Sequence, residues 1–187
     1  MLTALLIGFV LLPLLVSGSI VVFAEPPAGV IAYACHDHKA LVLLAYDKGP
    51  NRNGWAAFGG HGEKGERIVD TAAREFREET RCLFNGPDPD DLLNQKRSAV
   101  GPFYSYVSQV EYIGAAAIEK SRCGTPNERN QFIWVEAPVL KQALTRNKPL
   151  TAFDNPDKEY PFWFAGRLSL QQALEDGLLP TDNKVCQ

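Results

Sequence analysis

The sequence predicts an α/β domain. Three observations carry that expectation: extended apolar runs precede a central helix, further extended runs follow it, and more helical signals come late in the chain. The 187 residues, 45% apolar, suit one globular domain with a short appendage. A formal charge of −3 gives no bulk argument for binding nucleic acid, although a locally basic pocket for a polyphosphate stays open. There is no internal repeat or low-complexity run.

Taken in order, residues 1–24 (MLTALLIGFVLLPLLVSGSIVVFA) carry no charged side chain. As a helix they would reach roughly 35 Å, enough to cross a bilayer. A secretory signal cut after Ala24 and a retained transmembrane anchor both stay open, with a mis-assigned start as a third reading. A signal normally opens with Lys or Arg, absent here, and neither flank holds enough basic residues to set an orientation. The expectation is therefore an exported (periplasmic or secreted) or membrane-anchored protein, touching the membrane through residues 1–24 if these are uncleaved. Its globular domain spans 25–187, and its oligomeric state is not legible.

Glu25-Pro26-Pro27 reads as a short rigid linker. Val30 to Tyr33 and Leu41 to Tyr46 look like strands joined through His36-Asp37-His38-Lys39, where a solvated hairpin tip explains the histidines better than a ligand role. The loop Gly49 to Gly54 leads to Trp55. Beyond the central helix, Asp88-Pro89-Asp90-Asp91 has the cap-and-proline signature of a short helix. Residues 103–119 read as one or two strands and Gln131 to Val135 as another. Pro138 opens a helix ending near Asn147. A capping box at Ser169 to Gln172 starts the last helix, with Leu170, Ala173 and Leu174 as its apolar stripe and Gly177 as its stop. Cys35, Cys82, Cys123 and Cys186 allow three disulfide pairings if all are oxidised, none favoured, with four unpaired thiols as the alternative, and their spacings match no zinc site.

The segment Gly60 to Cys82, GHGEKGERIVDTAAREFREETRC, is the most informative. Its helix sets Glu75, Glu78 and Glu79 at i, i+3 and i+4, within roughly 100° of arc on one face. Like charges so placed repel by a few tenths of a kcal/mol per pair, so folding gives no reason to gather them. A hard cation does, since Mg²⁺ and Mn²⁺ prefer oxygen ligands. Ile68, Val69, Ala72, Ala73 and Phe76 form a second, core-facing stripe. Asp70, Arg74, Arg77 and Arg81 occupy a third face. On spacing alone, a solvated helix with its glutamates paired to Arg74 and Arg77 is as good a reading. The upstream half tips the balance: Gly59, Gly60, Gly62 and Gly65 give a loop that can close onto an ion or phosphate and runs into a helix N-terminus. Glu66 stands where a carboxylate can cap the first turn, about two turns from Arg74.

These residues resemble the Nudix box, G-x5-E-x7-R-E-U-x-E-E-x-G-U, with U a bulky apolar residue. Gly60 begins it, Glu66 follows after five residues, and seven more lead to Arg74-Glu75. Phe76, Glu78-Glu79 and Cys82 complete it. Arg81 stands where the family pattern has glycine, so the helix is expected to run on to Asn85-Gly86. Trp55 to Gly60 looks like the strand and turn that lead into the box, with Phe58 where many members carry proline. The resemblance implies a Nudix-like α/β/α sandwich with a mixed β-sheet.

It also implies a hydrolase that cleaves a phosphoanhydride bond in a nucleoside-diphosphate-linked substrate by water attack. Glu75, Glu78, Glu79 and the Gly60 carbonyl would hold Mg²⁺, or Mn²⁺. Arg74 would orient the glutamates, and Glu66 would support Arg74. Glu78 or Glu79 could act as base, and Glu128 is a weaker candidate. Trp55, Phe58, Phe103 and Tyr104 could stack on a base, although aromatics flanking strands are more often core, and Arg52 and Lys48 could meet phosphates, although loop basics are usually just solvated. The alternatives are a catalytically idle, membrane-attached Nudix domain that binds a nucleotide or a protein, and isomerisation of a diphosphate ester. The complete acidic set favours the hydrolase.

Overall fold

The structure is a computed structural model that describes residues 25–122 and 129–187. The signal or anchor reading of residues 1–24, and the residues Cys123 and Glu128, lie outside it. No helix among the described residues is long and apolar enough to cross a membrane.

Two long strands, β1 (Ala28–His36) and β2 (Lys39–Gly49), form the middle of the sheet and pair antiparallel from Tyr33↔Val42 to His36↔Lys39. Both are buried on either face, hence their unbroken apolar runs. The turn between them uses left-handed Asp37 and His38 (φ 48° and 58°), both exposed, in keeping with a hairpin tip. His36 is instead stacked on Tyr112 at 3.8 Å.

Past this hairpin the two strands part, and two short strands fill the fork. β3 (Arg52–Ala56) pairs with the far half of β2, and β4 (Phe58–Gly60) with the near half of β1. On its other edge β1 pairs parallel with β6 (Phe103–Gln109), which pairs antiparallel with β5 (Arg97–Val100). β7 (Arg129–Glu136) runs antiparallel along the other edge of β2, where Ala45 faces Ala56 on one side and Phe132 on the other. The sheet is therefore mixed, and helices cover both faces.

On one face lie α1 (Ile68–Glu79), α2 (Pro89–Leu93) and α3 (Ala115–Lys120), over a core that includes Val30, Leu43, Phe58, Phe76 and Trp134. The other face carries α4 (Ala137–Arg146) and α5 (Phe164–Glu175), over Ile31, Val42, Leu44, Trp55, Leu140 and Leu170. This is the expected α/β/α sandwich. The partition follows from strand alternation, since Val30 and Ile31, or Leu43 and Leu44, point to opposite faces. α2 begins as expected, with the Asp88 carboxylate accepting from the Asp90 N–H, and α4 ends at left-handed Asn147.

Four elements differ from the sequence reading. Residues 103–119 form one strand and then a helix, because the three alanines that follow the N-cap Gly114 are strong helix formers. A small hairpin of β8 (Leu150–Ala152) and β9 (Asn155–Tyr160) closes over the α4 side. α5 starts at Phe164 rather than at Ser169, whose hydroxyl lies inside the helix and donates to the Ala165 carbonyl. Glu66 does not cap α1: Arg67 is the N-cap, and its N–H donates to Asp70 Oδ2 at 3.2 Å.

The cysteines also take a definite arrangement. Cys35 on β1 is bonded to Cys186 in the terminal 3-10 turn (Asn183–Cys186), and Cys82 is disulfide-bonded as well.

Candidate active site

α1 lies over the fork between β1 and β2 with Val69, Ala72 and Phe76 in the core, so the expected apolar stripe faces the sheet. Its C-terminal end is set by an unusual pair. The helix stops at Glu79, and Arg81 and Cys82 both adopt left-handed backbone (φ 57° and 53°). Arg81 thus takes the conformation that glycine serves at this place, and the helix does not run on to Asn85-Gly86. Its guanidinium holds the turn: Nη1 donates to the carbonyls of Glu119 (2.6 Å) and Ser121 (3.1 Å), and Nε and Nη2 donate to that of Arg129 (3.2 and 3.1 Å).

Gly59 and Gly60 carry the N-terminal half of the site past this helix. Gly59 has φ 147°, and a Cβ there would lie 2.7 Å from the Ala28 carbonyl oxygen. At Gly60 an added Cβ would lie 2.5 Å from the Glu75 carboxyl carbon. Only glycine lets that carboxylate lie against the backbone here.

The structure sorts the charged residues into two clusters. In the first, Arg74 donates through Nε to Glu66 Oε1 (2.7 Å) and through Nη1 to Glu75 (3.0 Å) and Glu78 (3.2 Å), while Nη2 reaches the His61 carbonyl (2.8 Å). The Arg74 hydrogen bond, with support from the Glu63 N–H and the Thr71 hydroxyl, holds the Glu66 carboxyl down to about 2. The expected support of Arg74 by Glu66 is thus present. Its geometry is that of a loop carboxylate reaching forward, not of a cap.

The second cluster joins residues far apart in the sequence. Glu79 accepts from the Gly59 N–H (2.7 Å) and from Arg129 Nε (2.8 Å), and Arg129 Nη2 lies 3.3 Å from Asp47 Oδ2. All three side chains are buried. Burial pushes the Glu79 carboxyl up, to about 7, against the opposing pull of Arg129 and the Gly59 N–H. Arg129 reaches this place through a bulge. Ala45 pairs with Phe132 but Asp47 pairs with Arg129, so two residues of β7, the exposed Asn130 and Gln131, stand opposite Tyr46 alone. Strict alternation from Phe132 would turn Asn130 towards α1, and the extra residue gives that position to Arg129.

Exposure grades the three box glutamates, with side chains 13% exposed at Glu75, 41% at Glu78 and 6% at Glu79. Gly60 and all three line one polar cavity, together with Arg74, Lys48, Arg52, His61 and Arg129. Among the described residues no three His, Cys, Asp or Glu side chains are gathered closely enough to form a ready metal cage. Arginines lie between them instead. The polar cavity adjoins a mainly apolar one of about 240 Å³, walled by Phe58, Phe103, Val100, Trp163, Gly166 and Leu168, and the two share Asp47, Arg52, Gly59, Gly60, His61 and Arg129.

Of the aromatics named from sequence, Trp55 and Phe58 are core residues, although Phe58 also meets the apolar cavity. Phe103 lines that cavity, while Tyr104 packs under the Arg97 guanidinium. Trp163, at the start of α5, also lines the apolar cavity. No periodicity marks it as different from a core residue.

A family model described as the NUDIX domain matches residues 25–152. The chain belongs to the NUDIX family and is a hydrolase of pyrophosphate bonds. Among solved structures, the NUDIX domain of Shewanella oneidensis NrtR complexed with ADP ribose is 14% identical over 81% of this chain and 87% of that one, with a TM-score of 0.50. The Nudix hydrolase RenU from M. smegmatis is 14% identical over 82% and 86%, with a TM-score of 0.48. A C. elegans Ap4A hydrolase is 19% identical over 64% and 82%, with a TM-score of 0.43. At 14% identity the likeness to the NrtR domain shows the fold alone. No curated protein matches the chain.

Proposed function

We propose that the chain hydrolyses a nucleoside-diphosphate-linked substrate by water attack on its phosphoanhydride, in a reaction that depends on Mg²⁺ or Mn²⁺. The observation that carries this reading is the shared polar cavity of Gly60, Glu75, Glu78 and Glu79, open to an apolar chamber beside it. Carboxylate and carbonyl oxygens are the donors a hard cation prefers, and the absent Cβ of Gly60 leaves the space in which the Glu75 carboxylate meets the Gly60 backbone. These four residues would hold the ion. When bound, it would offset the charge of the anhydride and make water a better nucleophile.

The chain's own groups supply the rest. Arg74 holds Glu75 and Glu78 at fixed separation, and Glu66 fixes Arg74. Glu78, the most exposed carboxylate of the three, would take a proton from the attacking water, and Glu79 is the second candidate. Lys48 and Arg52 line the same cavity and would meet the phosphates, while the apolar chamber would seat a planar or apolar group of the substrate. We also propose that the domain works outside the cytosol, exported or anchored through residues 1–24. The disulfides at Cys35–Cys186 and at Cys82 support this, since such bonds persist in oxidising compartments.

The test is turnover by the purified chain on ADP-ribose, Ap4A and other dinucleoside and nucleoside polyphosphates, with Mg²⁺, with Mn²⁺ and with neither, beside Glu78→Gln and Glu79→Gln. Metal-dependent release of a phosphorylated product, lost in the variants, is the expected result. No turnover on any compound would favour an idle nucleotide-binding domain, and turnover unchanged in both variants would overturn the site. The mass of the mature chain distinguishes cleavage after Ala24 from a retained anchor.

A further inference from the structure

We infer that Arg129 is a built-in counter-cation that takes the place of one divalent ion, so that the acidic cluster binds a single ion. The inference rests on the metal site proposed above and concerns how many ions it holds.

Charge matching is the first argument. Among the described residues, the ion pairs of the site join five carboxylates (Glu66, Glu75, Glu78, Glu79 and Asp47) to three guanidiniums, Arg74, Arg129 and Arg52. Two negative charges remain, and one divalent ion neutralises them. Without Arg129 the remainder would be three, in a partly buried site where unbalanced charge is costly.

Geometry gives the second. Both Glu79 oxygens already accept a short hydrogen bond, one from Arg129 Nε and one from the Gly59 N–H. Glu79 retains lone pairs for a shared ion but no unmatched charge to attract another. Arg129 cannot easily withdraw. Its side chain is only 3% exposed, its carbonyl is held by Arg81, and its backbone is fixed by the pairing of β7 with β2 opposite Asp47. A guanidinium is also a cation that never deprotonates at working pH, so its charge is always present.

Position gives the third. Arg129 lines both the polar and the apolar cavity, and its Nη1 has no hydrogen-bond partner among the described residues. A buried donor left over costs about 1–3 kcal/mol unless a ligand or water satisfies it. An anionic substrate oxygen at the junction of the cavities would use it. The residue therefore supplies positive charge where a second ion would otherwise meet the phosphates.

The experiment counts Mn²⁺ ions per chain, without substrate, by electron paramagnetic resonance of free Mn²⁺ and by isothermal titration. Wild type is expected to bind one, Arg129→Lys one and Arg129→Met two, with a cooperative melt confirming that each variant is folded. If Arg129→Met fails to fold, Arg129→Gln, which removes the charge and keeps a donor for Glu79, is expected to bind two. A count of two in wild type, or an unchanged count in the folded methionine variant, overturns the inference and leaves the metal site standing. No binding in wild type overturns the metal site itself.

Discussion

Arg81 is a left-handed residue that glycine should relieve, yet glycine is expected to weaken the protein. Left-handed backbone costs an L-residue about 1–2 kcal/mol, so Arg81→Gly regains about 1 kcal/mol. The substitution also removes the guanidinium from the carbonyls of Glu119, Ser121 and Arg129. Hydrogen bonds from charged donors contribute about 1.5–3 kcal/mol when buried, and these half-exposed ones are taken at about 1 kcal/mol for each carbonyl. The net loss is about 2 kcal/mol for Arg81→Gly and about 3 for Arg81→Ala, which keeps the strain and loses the bonds. For a chain of this size the glycine variant should melt roughly 4–8 °C below wild type, and the alanine variant a further 2–4 °C lower. Urea titration with disulfides intact measures both, provided the slope is unchanged. A glycine variant as stable as wild type, or an alanine variant more stable than the glycine one, would refute the account of this turn.

Three further outcomes follow from the site and its frame. Gly60→Ala puts a methyl group against the Glu75 carboxyl, and Mn²⁺ affinity should fall at least tenfold while the melting temperature moves by only a few degrees. Glu66, held near 2 against an ordinary 4.5, contributes stability that is fully present above about pH 4.5 and lost as pH falls towards 2. Glu66→Gln should flatten the stability curve over that window, and a parallel curve would show that the carboxylate's charge is not what Arg74 uses. Cys186→Ser opens a loop closed across 151 residues, and the chain-entropy model sets the loss at up to about 5 kcal/mol, read as a drop in the denaturation midpoint.

What the sequence made legible was local. The spacing of Glu75, Glu78 and Glu79, the apolar stripe of α1 and the reach from Glu66 to Arg74 all lie within a few helical turns, where fixed geometry converts spacing into position. Glu66 reads as a cap from sequence because the same residue type serves both a helix start and a loop contact. The β8–β9 hairpin has no sequence signal because Asn155 to Glu159 are exposed and carry no apolar alternation. Ser169 resembled a cap because its four-residue pattern holds in mid-helix as well. The Asp47–Arg129–Glu79 cluster was illegible for a deeper reason: its members meet only through strand pairing and a one-residue irregularity, neither of which has a signature in the chain.

That irregularity leaves a slack link in the ladder between the core half of β7 and its site half. Phe132 is anchored by packing, while Arg129 is anchored by Asp47, Glu79 and Arg81. The two residues between them are exposed and answer to neither anchor. A change of one residue in length can therefore be absorbed there without moving the core or the cation. Deleting Asn130 would turn the bulge into a regular ladder in which Arg129 still faces α1, so the strand tolerates an indel beside its most buried charge.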